Sequence, residues 1–290
     1  MFIENSNDLN IRKKGKVKRK DNMSLRGSAE AIQNNHEEQT QQQKTNSALI
    51  APQNERYNRN TLIPQLGEKG QEKLLSAKIL VCGAGGLGST VLANLASVGI
   101  GTIGIVDNDV LELSNLNRQY IHKFNNLGKV KVESAKDWIK EFNPEIQVNT
   151  YQIRLDENNY QDIVKDYDFI VDCFDSFESK FLLNKIAIKT GKPLIHGGVT
   201  EFYGQVSIII PGKTACLNCI LPENKDYVAK GVISPAVTII SSIQSMEAVK
   251  LILNIGERLE NKLLSYNGLT MEFKTINLKK NFNCKMCNEL

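Results

Sequence analysis

Apolar residues in this chain fall into short continuous runs separated by stretches with helical spacing, the alternation of an α/β protein. Lys78-Ile79-Leu80-Val81-Cys82 predicts a buried parallel strand. A glycine-rich segment follows, and then Val91, Leu92, Leu95 and Val98 recur on one helical face until Gly99 and Gly101 end it. Residues 102–106 predict a second strand that delivers Asp107 at its carboxyl end. A helix opening near Lys131 carries Trp138, Ile139 and Phe142 on its apolar face and stops at Asn143-Pro144. Further strands are expected at 146–153, 167–173 and 205–210, with a helix at about 180–189 and residues 193–199 leading into the last of these strands. A long helix over 235–253 presents Ile239, Ile243, Met246, Val249 and Leu253 as a core or dimer face, with Met246 read as core packing. Two short strands, near 263–267 and 271–278, close the pattern. The expected fold is Rossmann-like and doubly wound, with a mainly parallel sheet and a C-terminal mixed or antiparallel part.

Residues 1–50 break this pattern. A basic run over 12–20 and an Asn/Gln/Glu-rich stretch over 33–47 lack the large apolar residues needed to offset ordering entropy, so this segment is expected to be a mobile tail. Its first 20 residues more than account for the net charge of +4, and the basic run reads as a solvated charge run rather than a nucleic-acid site. The folded domain is expected over 51–290. No apolar run is read as reaching transmembrane length, and no apolar core follows the N-terminal charges as in a secretory signal, so a cytoplasmic location without membrane contact is expected.

The first candidate chemistry is Gly83-Ala84-Gly85-Gly86-Leu87-Gly88, between a strand and a helix. Gly83 allows the tight turn, Gly85 leaves room for a phosphate against the backbone, and Gly88 lets helix and strand approach. The helix N-terminus offers free N–H groups to an anion. Asp107, about 20 residues on, is placed to accept from ribose hydroxyls. A nicotinamide enzyme would continue into another crossover; here an arm containing Asn115, Arg118 and Gln119 leaves the second strand. Arg118 is a planar cation suited to phosphate oxygens, Asn115 and Gln119 add neutral donors, and Lys131 supplies a second cation. Two cations and several amides beside a nucleotide loop favour nucleoside triphosphate chemistry over hydride transfer.

Cysteine spacing is the second signal. Cys216-Leu217-Asn218-Cys219 and Cys284-Lys285-Met286-Cys287 are two C-x-x-C pairs. Each pair can clip one metal ion, and together they complete a closed tetrahedral thiolate set, which reads as structural Zn²⁺. Cys82 and Cys173 lie in apolar strands and read as core residues. Asp172, within a strand, and His196, at a strand end, read as structural.

Taken together, residues 83–88, Asp107-Asn108-Asp109, Leu113-Ser114-Asn115-Leu116-Asn117-Arg118-Gln119 and Lys131-Val132-Glu133-Ser134-Ala135 resemble the ThiF/MoeB/HesA adenylyltransferases, relatives of the ubiquitin-activating enzymes, most nearly the MoeB type. The resemblance runs from about Glu55 to the C-terminus. It implies that Gly83, Gly85, Gly86, Gly88, Asp107, Asp109, Asn115, Arg118, Gln119 and Lys131 bind ATP. Glu55-Arg56-Tyr57-Asn58-Arg59-Asn60 resembles the family's Arg-Tyr-x-Arg-Gln signature, with Asn60 in place of Gln. It implies that Arg59 reaches the triphosphate of the neighbouring subunit in a homodimer. Asp175 resembles the aspartate that serves Mg²⁺, although Ser176 stands where Asn is usual. The family also carries the four-cysteine zinc arrangement. The loop over 224–231 has no cysteine, so the chain is expected to stop at an acyl-adenylate without forming its own thioester.

By this resemblance the reaction is ATP-dependent adenylylation of the C-terminal glycine carboxylate of a small ubiquitin-like sulfur carrier ending in Gly-Gly, in molybdopterin or thiamin-thiazole sulfur transfer. Arg59, Arg118, Lys131 and Asp175 are the expected catalytic residues, and ATP, Mg²⁺ and Zn²⁺ the expected cofactors. Two rivals remain: adenylation of a short peptide in antibiotic maturation, and a tRNA-binding or nucleotide-sensing relative using the basic tail.

Overall fold

The apolar run Lys78–Cys82 forms β1, an interior strand of an eight-stranded sheet. The computed structural model describes residues 55–221 and 231–287. The polar and basic segment 1–50 and most of the cysteine-free loop lie outside the described residues, and the unit described below is Arg56–Leu290.

Before β1 come a short helix α1 (Asn58–Thr61) and α2 (Gly67–Ser76). After it come α3 (Gly86–Val98), β2 (Thr102–Val106), α4 (Lys131–Phe142) and β3 (Gln147–Tyr151). The chain then returns across the sheet through α5 (Tyr160–Val164) to β4 (Phe169–Asp172), on the other side of β1. It continues through α6 (Phe177–Thr190), β5 (Leu194–Thr200), β6 (Tyr203–Ile209), α7 (Leu217–Ile220) and α8 (Ser234–Leu253), and ends in β7 (Lys262–Asn267) and β8 (Glu272–Asn277). The strand order is β3-β2-β1-β4-β5-β6-β7-β8; the first five strands are parallel and the last three add antiparallel, the mixed sheet that the patterning predicts.

Alternate residues of each parallel strand serve opposite layers, so both faces are covered. Ile79, Val81, Ile103 and Val171 pack with Val91, Leu92 and Leu95 of α3 and with Val237 and Ile240 of α8. Leu80, Cys82 and Ile170 pack with Ile163 of α5 and Leu183 and Ile186 of α6. Cys82 and Cys173 are buried, as a core role requires.

Three expectations change. Residues 194–200 form a full strand, not a lead-in. Glycines interrupt the apolar run there because the Gln244 side chain of α8 lies flat on the sheet: a Cβ on Gly197 would stand 2.3 Å from its Cδ. Met246 is not core; it is 59% exposed. Helix α8 instead buries Ala236, Val237, Ile240, Ser241, Gln244, Ser245 and Ala248, while Ile239, Ile243 and Val249 are only partly covered. Finally, α8 is long and apolar enough to cross a membrane by length and composition, which the sequence reading missed. Half of that window is buried inside the protein, and α8 packs on α3, β5 and β6, the burial of a core helix.

Candidate functional site

The chain turns outward from β1 to β2 and β3 before crossing to β4, so the carboxyl ends of β1 and β4 face a topological switch point, where α/β sheets open a crevice. Gly83 leaves β1 with φ +107°, and a Cβ there would stand 2.6 Å from the carbonyl oxygen of Cys173 at the end of β4. A Cβ on Gly88 would fall 1.9 Å from the Gly83 carbonyl oxygen, so helix and turn touch through bare backbone. Gly85 differs. Its φ is −81°, and a Cβ would meet only Gln119 Nε2, at an ordinary 3.6 Å. Packing does not demand glycine there, and the space above it adjoins polar side chains.

Those side chains come from the arm after β2. Gln119 is buried beside Gly85, and its Oε1 has no hydrogen-bond partner among the described residues. An orphaned buried acceptor costs about 1–3 kcal/mol unless a ligand or water satisfies it. Arg118 lies over Gly86, with its Cδ 3.5 Å from the position of a Cβ there; Nη1 donates to Ser114 O at 3.1 Å and to Asn117 Oδ1 at 2.9 Å. Asn115 Oδ1 accepts from the Glu112 N–H at 3.0 Å and shapes the 3₁₀ turn Leu113–Asn115 that carries the arm.

Asp107 is more enclosed than an exposed strand end. Its Oδ2 accepts from the Ala84 N–H at 2.7 Å and its Oδ1 from the Asp109 N–H at 2.8 Å. Burial pushes its carboxyl above the usual range, against the pull of those amides and of Lys131. Asp107 thus clamps the glycine turn as well as offering lone pairs to a ligand. Lys131, at the start of α4, is buried and donates to Asp109 Oδ2 at 2.8 Å. His122, which carries no signal in the sequence, supports the turn from the other side: Nε2 pairs with the Ala84 carbonyl at 2.9 Å and Nδ1 with Ser134 Oγ at 2.9 Å.

Asp175 is exposed just beyond β4, across the switch point from the glycine turn. Ser176 caps α6 by accepting from the Ser179 N–H at 3.1 Å, which suffices to start the helix in the absence of Asn. Helix α6 begins at Phe177, not near 180, so Lys180 falls in its first turns and points inward. Its ammonium donates to both oxygens of Asp172 at 3.2 Å and to Gly197 O at 2.6 Å. His196 Nδ1 pairs with Asp172 Oδ2 at 2.8 Å. Burial alone would raise the Asp172 carboxyl; Lys180 and His196 outweigh it and hold the group below its ordinary value. This buried network fixes the ends of β4 and β5, and Lys180 is its member that sequence reasoning did not single out.

Arg59 is not brought to its own glycine turn. Tyr57, the N-cap of α1 two residues before it, is pinned at Gly99, the C-terminal end of α3, whereas the turn lies at the N-terminal end of that 13-residue helix. The separation is about 20 Å at 1.5 Å per residue, beyond an arginine side chain.

The four cysteine sulfurs of Cys216, Cys219, Cys284 and Cys287 lie within 4.8 Å of one another. Individual separations are 3.9 Å for Cys216–Cys219, 3.8 Å for Cys216–Cys284 and 3.5 Å for Cys219–Cys287. Sulfurs bound at 2.3 Å in a tetrahedron stand about 3.8 Å apart, and a disulfide would need about 2.05 Å. The donor set therefore fits one tetrahedral thiolate-bound ion.

The family model described as ThiF matches residues 57–287. The chain is 37% identical over 248 residues to the SAMP-activating enzyme E1 of Haloferax volcanii, covering 83% of this chain and 92% of that protein. It is 34% identical over 246 residues to the sulfur carrier protein adenylyltransferase of Thermus thermophilus, covering 81% and 91%. Among solved structures, E. coli MccB with ATP is similar at TM-score 0.67 and 29% identity, covering 75% of this chain and 68% of that one. E. coli MccB with AMPCPP and MccA is similar at TM-score 0.71 and 28% identity, covering 80% and 74%.

Proposed function

The chain belongs to the ThiF family, and from that premise we propose that it is an adenylyltransferase that uses ATP to activate the C-terminal carboxylate of a small sulfur-carrier protein. The observation that carries this reading is the space above Gly85. Glycine stands where packing leaves room above the backbone, beside the buried Oε1 of Gln119, which has no partner among the described residues, at the mouth of the switch-point crevice. That is a cradle for a polyphosphate at a helix N-terminus.

In the proposed reaction a carboxylate oxygen attacks the α-phosphorus of ATP. The bond from that phosphorus to the bridging oxygen breaks, and pyrophosphate leaves with the electron pair, giving a mixed acyl-phosphate anhydride. A carboxylate approaching a polyanion is repelled, so the protein's share of the work is charge neutralisation and alignment. The N–H groups opening α3, Arg118 and Lys131 would face the phosphates from the chain's own side. Lys131 is held by Asp109, and nucleotide binding would draw its ammonium partly away from that carboxylate. Asp107 would accept from the ribose. Asp175 would hold Mg²⁺, which supplies further charge compensation. The cysteine cluster would hold Zn²⁺ as a closed structural ion without an open position for catalysis.

We further propose that the active enzyme is a homodimer. The seat of Tyr57, two residues before Arg59, lies about 20 Å from the chain's own turn by the length of α3, which supports a role for Arg59 at a triphosphate in another subunit. The substrate assignment draws on relatives named for SAMP activation and sulfur-carrier adenylylation, each spanned over more than nine-tenths of its length. The likeness to MccB favours a second reading, activation of a short peptide carboxylate.

ATP–pyrophosphate exchange separates the two. Exchange should depend on a ubiquitin-like carrier ending in Gly-Gly and vanish when its last glycine is removed. Exchange driven by short peptides and not by carriers would overturn the carrier reading.

A further inference from the structure

Tyr57 is among the largest fully buried side chains, yet it belongs to a segment that is otherwise on the surface: α1 buries no residue, and Arg56, Asn58 and Arg59 are exposed. Its ring lies on Gly99. That glycine has φ +84°, and a Cβ would stand 2.5 Å from the tyrosine Cζ, so any side chain there would expel the ring. The phenol oxygen accepts from Asn143 Nδ2 at 2.8 Å, and the same amide donates to Ala96 O at 3.2 Å. Secondary ties follow: Asn60 Nδ2 donates to Gln71 Oε1 at 3.0 Å, and Gln71 Nε2 donates to Val98 O at 2.9 Å. Arg56 Nη1 donates to Phe142 O at 3.2 Å. Every one of these anchors is at or near the carboxyl end of α3 or α4 or, through Gln71, reaches the end of α3.

We propose that Tyr57, seated on Gly99 and hydrogen-bonded to Asn143, is a positioning residue that aims Arg59 at the neighbouring subunit's triphosphate. The inference rests on the assignment of Arg59 in trans made above. A single buried ring holds a four-residue helix that has no core of its own, so the direction of Arg59 follows from the seat of Tyr57. Helices α3 and α4 carry their own chain's glycine turn and Lys131 at their amino ends, and present the seat at their carboxyl ends. One pair of helices thereby serves two active sites: its own with one end, its partner's with the other.

The test is subunit complementation, read by pyrophosphate exchange. In homodimers Tyr57→Ala should lower kcat about 10²-fold, the cost of displacing a positioned group, while KM for ATP changes little because the chain's own pocket is intact. Mixed with Lys131→Ala subunits, Tyr57→Ala should regain activity, since one site of the heterodimer pairs an intact Lys131 with a correctly seated Arg59. Mixed with Arg59→Ala subunits it should regain none, because both chains then donate a defective arm. A merely structural lesion would damage the Tyr57→Ala chain's own site and reverse this pattern. Mixing Arg59→Ala with Lys131→Ala is the control: no recovery there overturns the trans reading itself. Recovery in the control without recovery of Tyr57→Ala by Lys131→Ala overturns the positioning role alone. If Tyr57→Ala fails to fold, Tyr57→Phe keeps the ring on Gly99 and loses only the bond to Asn143. It should show the same complementation pattern with a loss of about fivefold in kcat; full kcat in Tyr57→Phe with the alanine variant unfolded would also overturn the proposal.

Discussion

The backbone N–H of Ala84 donates to Oδ2 of Asp107 at 2.7 Å, so the carboxylate at the end of β2 holds the glycine turn at the end of β1. Replacing Asp107 with Ala orphans this amide and that of Asp109 at once. The expected result is a stability loss of about 1–3 kcal/mol together with weakened ATP binding. Urea denaturation and titration calorimetry read the two effects; unchanged values in both would remove Asp107 from turn and pocket alike.

Gly85 and Gly88 separate ligand space from packing space. Gly85→Ala adds a methyl group whose nearest neighbour, Gln119 Nε2, is 3.6 Å away, so the free protein should keep its thermal midpoint while ATP affinity falls at least tenfold. Gly88→Ala drives a methyl group to 1.9 Å from the Gly83 carbonyl and should destabilise the fold itself. A Gly85→Ala protein that binds ATP normally would show that nothing approaches the turn there.

Much of this was legible along the chain and some was not. The βαβ unit shows because apolar runs, a helical stripe and glycines coincide over residues 78–106, and the four-cysteine cluster because C-x-x-C is a local geometry. Strand β5 is hidden because glycines interrupt its apolar run, Gly197 where Gln244 presses on the sheet and Gly198 beside Gln205 of β6. Helix α8 misleads because it is apolar nearly all round and buries Ser241, Gln244 and Ser245, leaving Met246 outward. His196 meets Asp172, 24 residues before it, through the pairing of β4 with β5, and Tyr57 finds Asn143 86 residues away, so neither contact is local in the sequence.

Protein purified under reducing conditions should contain one zinc ion per chain, by metal analysis. Cys284→Ser removes one of four donors, and should lower both the metal content and the thermal midpoint. Zinc-finger peptides bind their ion with about 10–16 kcal/mol of apparent free energy, so a strong chelator should lower the midpoint of the wild type and leave the variant little changed. Metal-free, fully stable protein would refute the site.

Stability should fall as pH drops below neutrality. Burial holds the imidazoles of His196 and His122 below their ordinary value in the folded chain. Between that lowered value and about 6.5 the unfolded chain binds protons that the folded chain does not, so stability is complete above the ordinary value and is lost on acidification, at up to about 1.4 kcal/mol per pH unit for each group. His196 faces Asp172 and Lys180, and Lys131 acts on His122. Urea midpoints at pH 7.5 and 5.5 should differ in the wild type, and the difference should shrink in His122→Gln. An unchanged difference in that variant would free His122 of the effect.

Strands β1 and β4 lie side by side although Lys78 and Asp168, bonded at their bases, are 90 residues apart. The unit β1–α3–β2 can assemble from neighbouring residues early, but the crevice has only one wall until β4 arrives, and closing so long a loop is slow. Nucleotide should therefore bind only late in refolding, after helix content has recovered, and a fluorescent ATP analogue in a stopped-flow experiment would clock the arrival of a single strand.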